Sequence, residues 1–203
     1  MVEPTGLRAR KKARTHQAIS DAAISLFLTR GFDHVSVADI AAAAEVSKPT
    51  LFRYFDNKED LVLHRIADHN GEAGRIVLDR QPGVSPIAAL HQHFRAGLDS
   101  RDPVTGLNDN PEVLAFHRLV FTTPSLAARL TQYTLDNEEA LAAALGSGIA
   151  AQLAAAQVLA VQRVLARTNW QKLADGRTDN DVYPEAVANA DRAFDLLRAG
   201  IDQ

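Results

Sequence analysis

The chain is 203 residues long, 46% apolar and without cysteine, which allows a buried core in one large or two small domains and excludes disulfides, thiolate nucleophiles and cysteine-rich zinc sites. No apolar leader precedes Ala18, and no uncharged apolar run approaches the ~20 residues needed to span a bilayer, so a soluble protein is expected. The formal net charge of −3 hides an asymmetry: residues 1–58 carry nine Lys/Arg against six Asp/Glu, a net of +3, and residues 59–203 carry 13 against 19, a net of −6.

The basic excess sits at the front. Five of the nine cations fall in residues 7–14, LRARKKAR, among them Arg10, Lys11 and Lys12. Such a cluster makes salt-sensitive, sequence-independent phosphate contacts, or is a solvated arm. Residues 14–30 then read as a helix, with Ile19, Ala22, Ala23, Leu26 and Phe27 at the spacing of one apolar face. Gly31 ends it, and Phe32 and Val35 are expected to pack beneath.

Residues 35–58, VSVADIAAAAEVSKPTLFRYFDNK, hold two short helices. Ser36 caps the first, over 37–44, and Asp39 three residues later forms a near capping box. Ser47 caps the second, with Pro49 in its first turn, where a missing N–H is harmless. Only Glu45, Val46 and Ser47 connect them, so Ile40, Val46 and Leu51 share one small core. Helices joined this tightly form a helix-turn-helix, whose second member can enter a major groove.

The run Gly31-Phe32, Ser36-Val37-x-Asp39-Ile40-Ala41, then Val46-Ser47-Lys48-Pro49-Thr50-Leu51-Phe52-x-Tyr54-Phe55-x-Asn57-Lys58-Glu59-x-Leu61 resembles the DNA-binding signature of the tetracycline-repressor (TetR) family of bacterial transcription regulators. It covers about the first third of the chain without insertions. The resemblance implies an all-α, cytoplasmic homodimer that is no enzyme and holds no resident cofactor. Its three-helix head, 1–56, would bind a double-stranded DNA operator, and its helical body, 57–203, would dimerise and hold a small-molecule inducer that releases repression. Two departures stand out: Glu45 occupies a turn position where the family usually has glycine, and Phe52 stands where a tyrosine hydroxyl is frequent.

After Phe55, Asp56 is the expected cap of a linker helix running to about residue 79, with Glu59 at the capping-box position and Gly71 and Gly74 inside it. Three helix starts marked by proline follow, Ser85-Pro86, Asn110-Pro111 and Thr123-Pro124, giving helices over 86–98, 111–121 and 124–145. A polar loop spans 99–109. A long alanine-rich helix, 149–175, and a last helix, 184–201, complete the bundle. These two either complete the monomer core or pair with their copies about a two-fold axis, and the family resemblance implies the dimer.

In such a dimer two recognition helices read half-sites ~34–36 Å apart or a multiple of that. Lys48, Pro49 and Thr50 open the recognition helix, within reach of base edges. Tyr54 and Lys58 match family positions that grip phosphate, although Tyr54 fits the core equally well. Ser36 and Ser47 combine capping with phosphate donation. Candidate ligand-lining residues are Phe94, Leu98, Phe116, Phe121, Tyr133 and Trp170, with Leu114 beside them, and ordinary core packing is the commoner role for each. His117 and Arg118, with His91, are polar handles that hint at an anion. The body is similar to TetR members with acyl-CoA-like ligands, which points to a small hydrophobic or acyl-type inducer.

Other function classes fit less well. His91-x-His93 aims two rings apart, and His64 with Asp68 supplies too few ligands for a metal and reads as a solvated helix face. A helical metal- or acid/base-dependent enzyme would need a convergent ligand or carboxylate set that no motif supplies. A membrane-surface protein could use the basic segment, but residues 14–30 lack the aromatic and lysine faces of an interfacial anchor.

Overall fold

The computed structural model describes residues 4–67 and 69–201. They form ten α-helices and one short 3-10 turn, and no strand occurs among the described residues. The chain divides into two compact units, Met1–Asp68 with Arg118–Arg129, and His69–His117 with Leu130–Gln203.

In the first unit, α1 (Pro4–Arg30) starts ten residues earlier than the apolar face alone suggests. The basic segment is therefore part of the helix, because charged residues with good helix propensity continue an established helix readily. Ile19, Ala23, Ile24 and Phe27 are buried on it, whereas Ala22 and Leu26 are only half-buried. Ser20, fully buried, donates its hydroxyl to the Leu61 carbonyl at 2.8 Å. Gly31, at φ +83, closes α1 by donating to the Phe27 carbonyl. Phe32 and Val35 are buried beneath it.

Helices α2 (Val37–Ala43) and α3 (Lys48–Phe52) follow. The next, α4 (Asp60–Ala67), is capped by the Asn57 side chain, which accepts from the Asp60 N–H at 2.8 Å. The expected cap, Asp56, is thus one residue too early. Asp60 is buried and receives the Arg129 guanidinium, Nε to Oδ1 at 3.0 Å.

The linker helix expected over 57–79 is two helices, α4 and α5 (Glu72–Leu78). Gly71 takes φ +70 at the start of α5, and its N–H donates to Asn137 Oδ1 at 2.6 Å. A backbone group satisfied by a distant side chain cannot also continue the helix. Gly74 meets the Ala140 carbonyl so closely that a Cβ would lie 3.0 Å from it.

The second unit is a helical bundle. α6 (Pro86–Ser100) begins at the Ser85 cap with Pro86 first. A 3-10 turn (Pro103–Thr105) lies in the expected polar loop, and α7 (Pro111–Thr122) and α8 (Pro124–Leu145) begin on their prolines. α9 (Ile149–Ala174) and α10 (Asp179–Ile201) end the chain. Pro184 lies inside α10 instead of starting it. Thr178, six residues before it, forms a reciprocal cap with Asp181, Asp181 N–H to Thr178 Oγ1 at 3.2 Å and Thr178 hydroxyl to Asp181 Oδ2 at 2.7 Å. Leu90, Phe94, Leu98, Val158, Ala190 and Phe194 are central to the core.

By length and composition α9 is long and apolar enough to cross a membrane, although Arg163 and Arg167 interrupt it, so its uncharged run stays short of the ~20 residues needed. Its hydropathy comes largely from alanine, and Ala155, Val158 and Leu173 are buried in the bundle core.

Candidate nucleic-acid interface

The helix-turn-helix is built from two local caps. The Ser36 N–H donates to Asp39 Oδ2 at 2.8 Å and the Asp39 N–H to Ser36 Oγ at 3.2 Å, a complete capping box. The hydrogen bonds from Ser36 hold the Asp39 carboxyl below its ordinary range. Ser47 repeats the device for α3: Thr50 donates its N–H to Ser47 Oγ at 3.1 Å, and the two hydroxyls lie 2.8 Å apart.

Between them the backbone turns sharply. Val46 donates to the Ala41 carbonyl at 2.9 Å, and Glu45 adopts φ +54, the left-handed region that favours glycine. Ile40 and Leu51 are fully buried under the turn, and Val46 is half-buried. This packing fixes which face of α3 looks outward. Lys48 and Pro49 are exposed on it, and Phe52 is 50% exposed.

A hollow of about 750 Å³ lies between the N-terminal half of α1 and this motif, bringing together Lys11, Lys12, Ser47, Thr50 and Tyr54. It also includes Thr15, Glu45 and Arg53, to which the sequence reading assigned no DNA contact. For Arg53 the signal was present: a cation directly after the recognition helix, its guanidinium 5.7 Å from the Tyr54 ring centre. Arg10 is exposed on α1. Tyr54 is half-buried and Phe55 is core.

Lys58 is held within the head. Its ammonium donates to the Phe32 carbonyl and lies 4.2 Å from the Phe32 ring centre and 5.4 Å from that of Phe27. His64, expected on a solvated face, is 6% exposed and stacks on His16 at 4.8 Å. Asp68, its proposed partner, lies outside the described residues. No group of three or more metal-ligating side chains occurs among the described residues.

The candidate ligand residues are divided between the two units. Phe94 and Leu98 stand in the bundle core, Phe94 against the Phe194 ring at 6.1 Å. Trp170 is buried with the Arg167 guanidinium 5.0 Å from its ring centre. Leu114, Phe116 and Tyr133 are half-buried. Burial pushes the His117 imidazole down to about 4, so it is neutral at pH 7. Arg118 and Phe121 belong to the first unit and the others to the second. His91 faces the partners of its own bundle: Nε2 meets Asp191 at 2.9 Å and Nδ1 the Arg198 guanidinium at 2.8 Å. His93 turns instead toward Glu72, 3.7 Å away.

Comparison with known proteins agrees with this geometry. Residues 19–64 match the family model for bacterial regulatory proteins of the tetR family. The transcriptional regulator TcmR of Streptomyces glaucescens is 34% identical over 203 residues, covering 95% of this chain and 87% of that one. The transcriptional repressor LfrR of Mycolicibacterium smegmatis is 34% identical over 108 residues, 51% of this chain and 54% of that one. Among solved structures, NalD, the secondary repressor of the MexAB-OprM multidrug efflux pump in Pseudomonas aeruginosa, shares the fold with a TM-score of 0.58 at 16% identity, covering 91% of this chain and 97% of that one. A TetR-family regulator from Streptomyces coelicolor does so with a TM-score of 0.56 at 24% identity, over 90% and 95%. With the capped helix-turn-helix in place and TcmR alike along nearly the whole length, the chain belongs to the TetR family of bacterial transcriptional regulators.

Proposed function

We propose that this regulator is a cytoplasmic repressor that binds a palindromic operator as a homodimer and is released by a small hydrophobic or acyl-type molecule, with no resident cofactor. The observation that carries the dimer is an apolar stripe left open on the last two helices. Ile149, Leu153 and Val164 on α9 are 69%, 53% and 54% exposed, and Leu196 on α10 is 70% exposed. A shallow groove runs beside them, lined by Ala160, Val161, Ala193 and Leu197. Large apolar side chains grouped in this way favour a partner surface, and a second copy meets them by two-fold symmetry.

Two heads held by such a bundle read two half-sites, which one short recognition helix cannot do alone. Within each head Lys48, Pro49 and Thr50 face the bases. Ser36, Ser47, Tyr54 and the cations Arg10, Lys11 and Lys12 take the phosphates, and Lys58 supports the head. The naming of LfrR as a repressor supports repression. The test is light scattering of the purified chain together with anisotropy titration on the DNA upstream of its gene. A dimer with sequence-selective, sub-micromolar binding is expected. A monomer, or equal binding to shuffled DNA, contradicts the proposal.

A further inference from the structure

The hollow beside the helix-turn-helix sets a carboxylate, Glu45, among its cations, which phosphate binding alone does not explain. Three cations line it, Lys11 and Lys12 from α1 and Arg53 from the end of the recognition helix. The hydroxyl-bearing residues Ser47, Thr50 and Tyr54 line it as well, with Thr15, whose own hydroxyl donates to the Lys11 carbonyl at 3.0 Å. One lining residue, Glu45, carries a carboxylate. It is exposed, held at a left-handed backbone position, and no ion pair ties it among the described residues.

We propose that this hollow seats a phosphate of the duplex backbone and that Glu45 is a brake on the strength of that grip, an inference that rests on the DNA-binding role proposed above. Lysine, arginine and hydroxyl donors together form a phosphate-binding set. A carboxylate facing the same anion repels it and weakens every complex that uses the backbone contact. Backbone contacts supply essentially all of non-specific binding, so the brake acts on wrong sequences as strongly as on the right one. Residence on all DNA, competing and specific alike, falls together while base reading by Lys48, Pro49 and Thr50 is untouched. The left-handed turn holds Glu45 at the rim of the hollow, where a glycine would present no charge.

The experiment compares wild type with Glu45→Gln, which removes the charge and keeps a side chain in the same backbone conformation. Anisotropy titrations use the duplex upstream of the gene and a shuffled duplex of equal length and composition. The expected result is a roughly two- to fivefold gain in affinity for both duplexes at low salt, shrinking as screening increases. In a Lys11→Gln/Lys12→Gln background the gain should largely vanish, because the seat for the phosphate is gone. Thermal unfolding checks that all variants are folded. An unchanged affinity for both duplexes overturns the proposal, as does a gain that survives intact in the lysine-free background. A change confined to the upstream duplex also overturns it, because Glu45 would then be reading a base. Failure of the wild type to distinguish the two duplexes removes the regulator role and this inference together, and that is visible before any variant is made.

Discussion

The Lys58 ammonium donates to the main-chain carbonyl of Phe32, 26 residues earlier, while its charge lies over the Phe27 and Phe32 rings. A residue that the family pattern marks for phosphate is here a cross-link between the end of α1 and the approach to α4. The half-buried cation satisfies a carbonyl and gains cation–π attraction at once.

Lys58→Ala should therefore lower the stability of the head by ~1–2 kcal/mol, measured by urea unfolding. The salt dependence of DNA binding should change little. A slope reduced by about one unit at unchanged stability would return Lys58 to the phosphate role.

Ser47 and Thr50 separate capping from reading. Ser47→Ala removes the acceptor for the Thr50 N–H and should cost ~1 kcal/mol of stability. Thr50→Ala should leave stability nearly intact and alter preference among operator variants by ~1–3 kcal/mol, read from competition titrations. Equal losses on all sequences for Thr50→Ala would place it among the backbone contacts.

Gly106 is irreplaceable on geometric grounds. It adopts φ +71, and a Cβ built on it would lie 1.9 Å from the Ala166 carbonyl oxygen of α9. Gly106→Ala should destabilise the body by about 3 kcal/mol or more. Near-normal unfolding of that variant would show that the loop can retreat from α9.

His117 makes acid stability asymmetric. Its folded-state value, near 4, lies below the usual 6.5 because burial disfavours the charged ring. Between those values the unfolded chain binds the proton and the folded chain does not, so stability falls as pH drops from about 6.5 toward 4. The contribution is at most ~1.4 kcal/mol per pH unit. Urea unfolding from pH 7 to pH 5 should show this slope, and His117→Phe should flatten it. An identical slope in the variant would exclude His117 as the source.

What could be read from the residues alone follows the range of the interactions. Ser36 with Asp39, Ser47 with Pro49, and the prolines at 86, 111 and 124 act within one turn of chain, and each marks a helix start where expected. Two local signals competed. Asp56 and Asn57 are both good caps, and the Asn57 side chain is the one that meets the Asp60 N–H. Pro184 hid the Thr178–Asp181 cap because a proline near a helix start reads as the start itself. The break before α5 was legible only as a weak point at Gly71 and Gly74, since what fixes it is Asn137, 66 residues from Gly71. The grouping of Lys11 and Lys12 with Arg53 depends in the same way on tertiary packing of α1 against the motif. A ligand lining is harder still, because an aromatic residue on an apolar face looks the same whether it fills a core or borders a cavity.

The most direct measurement is the stoichiometry and selectivity of binding to the upstream duplex, by anisotropy combined with light scattering of the complex. Two chains per site, with at least ~1,000-fold preference over shuffled DNA and loss of dimers when Leu153 and Leu196 are changed to Glu, is the predicted result. One chain per site, or the same affinity for both duplexes, would contradict it.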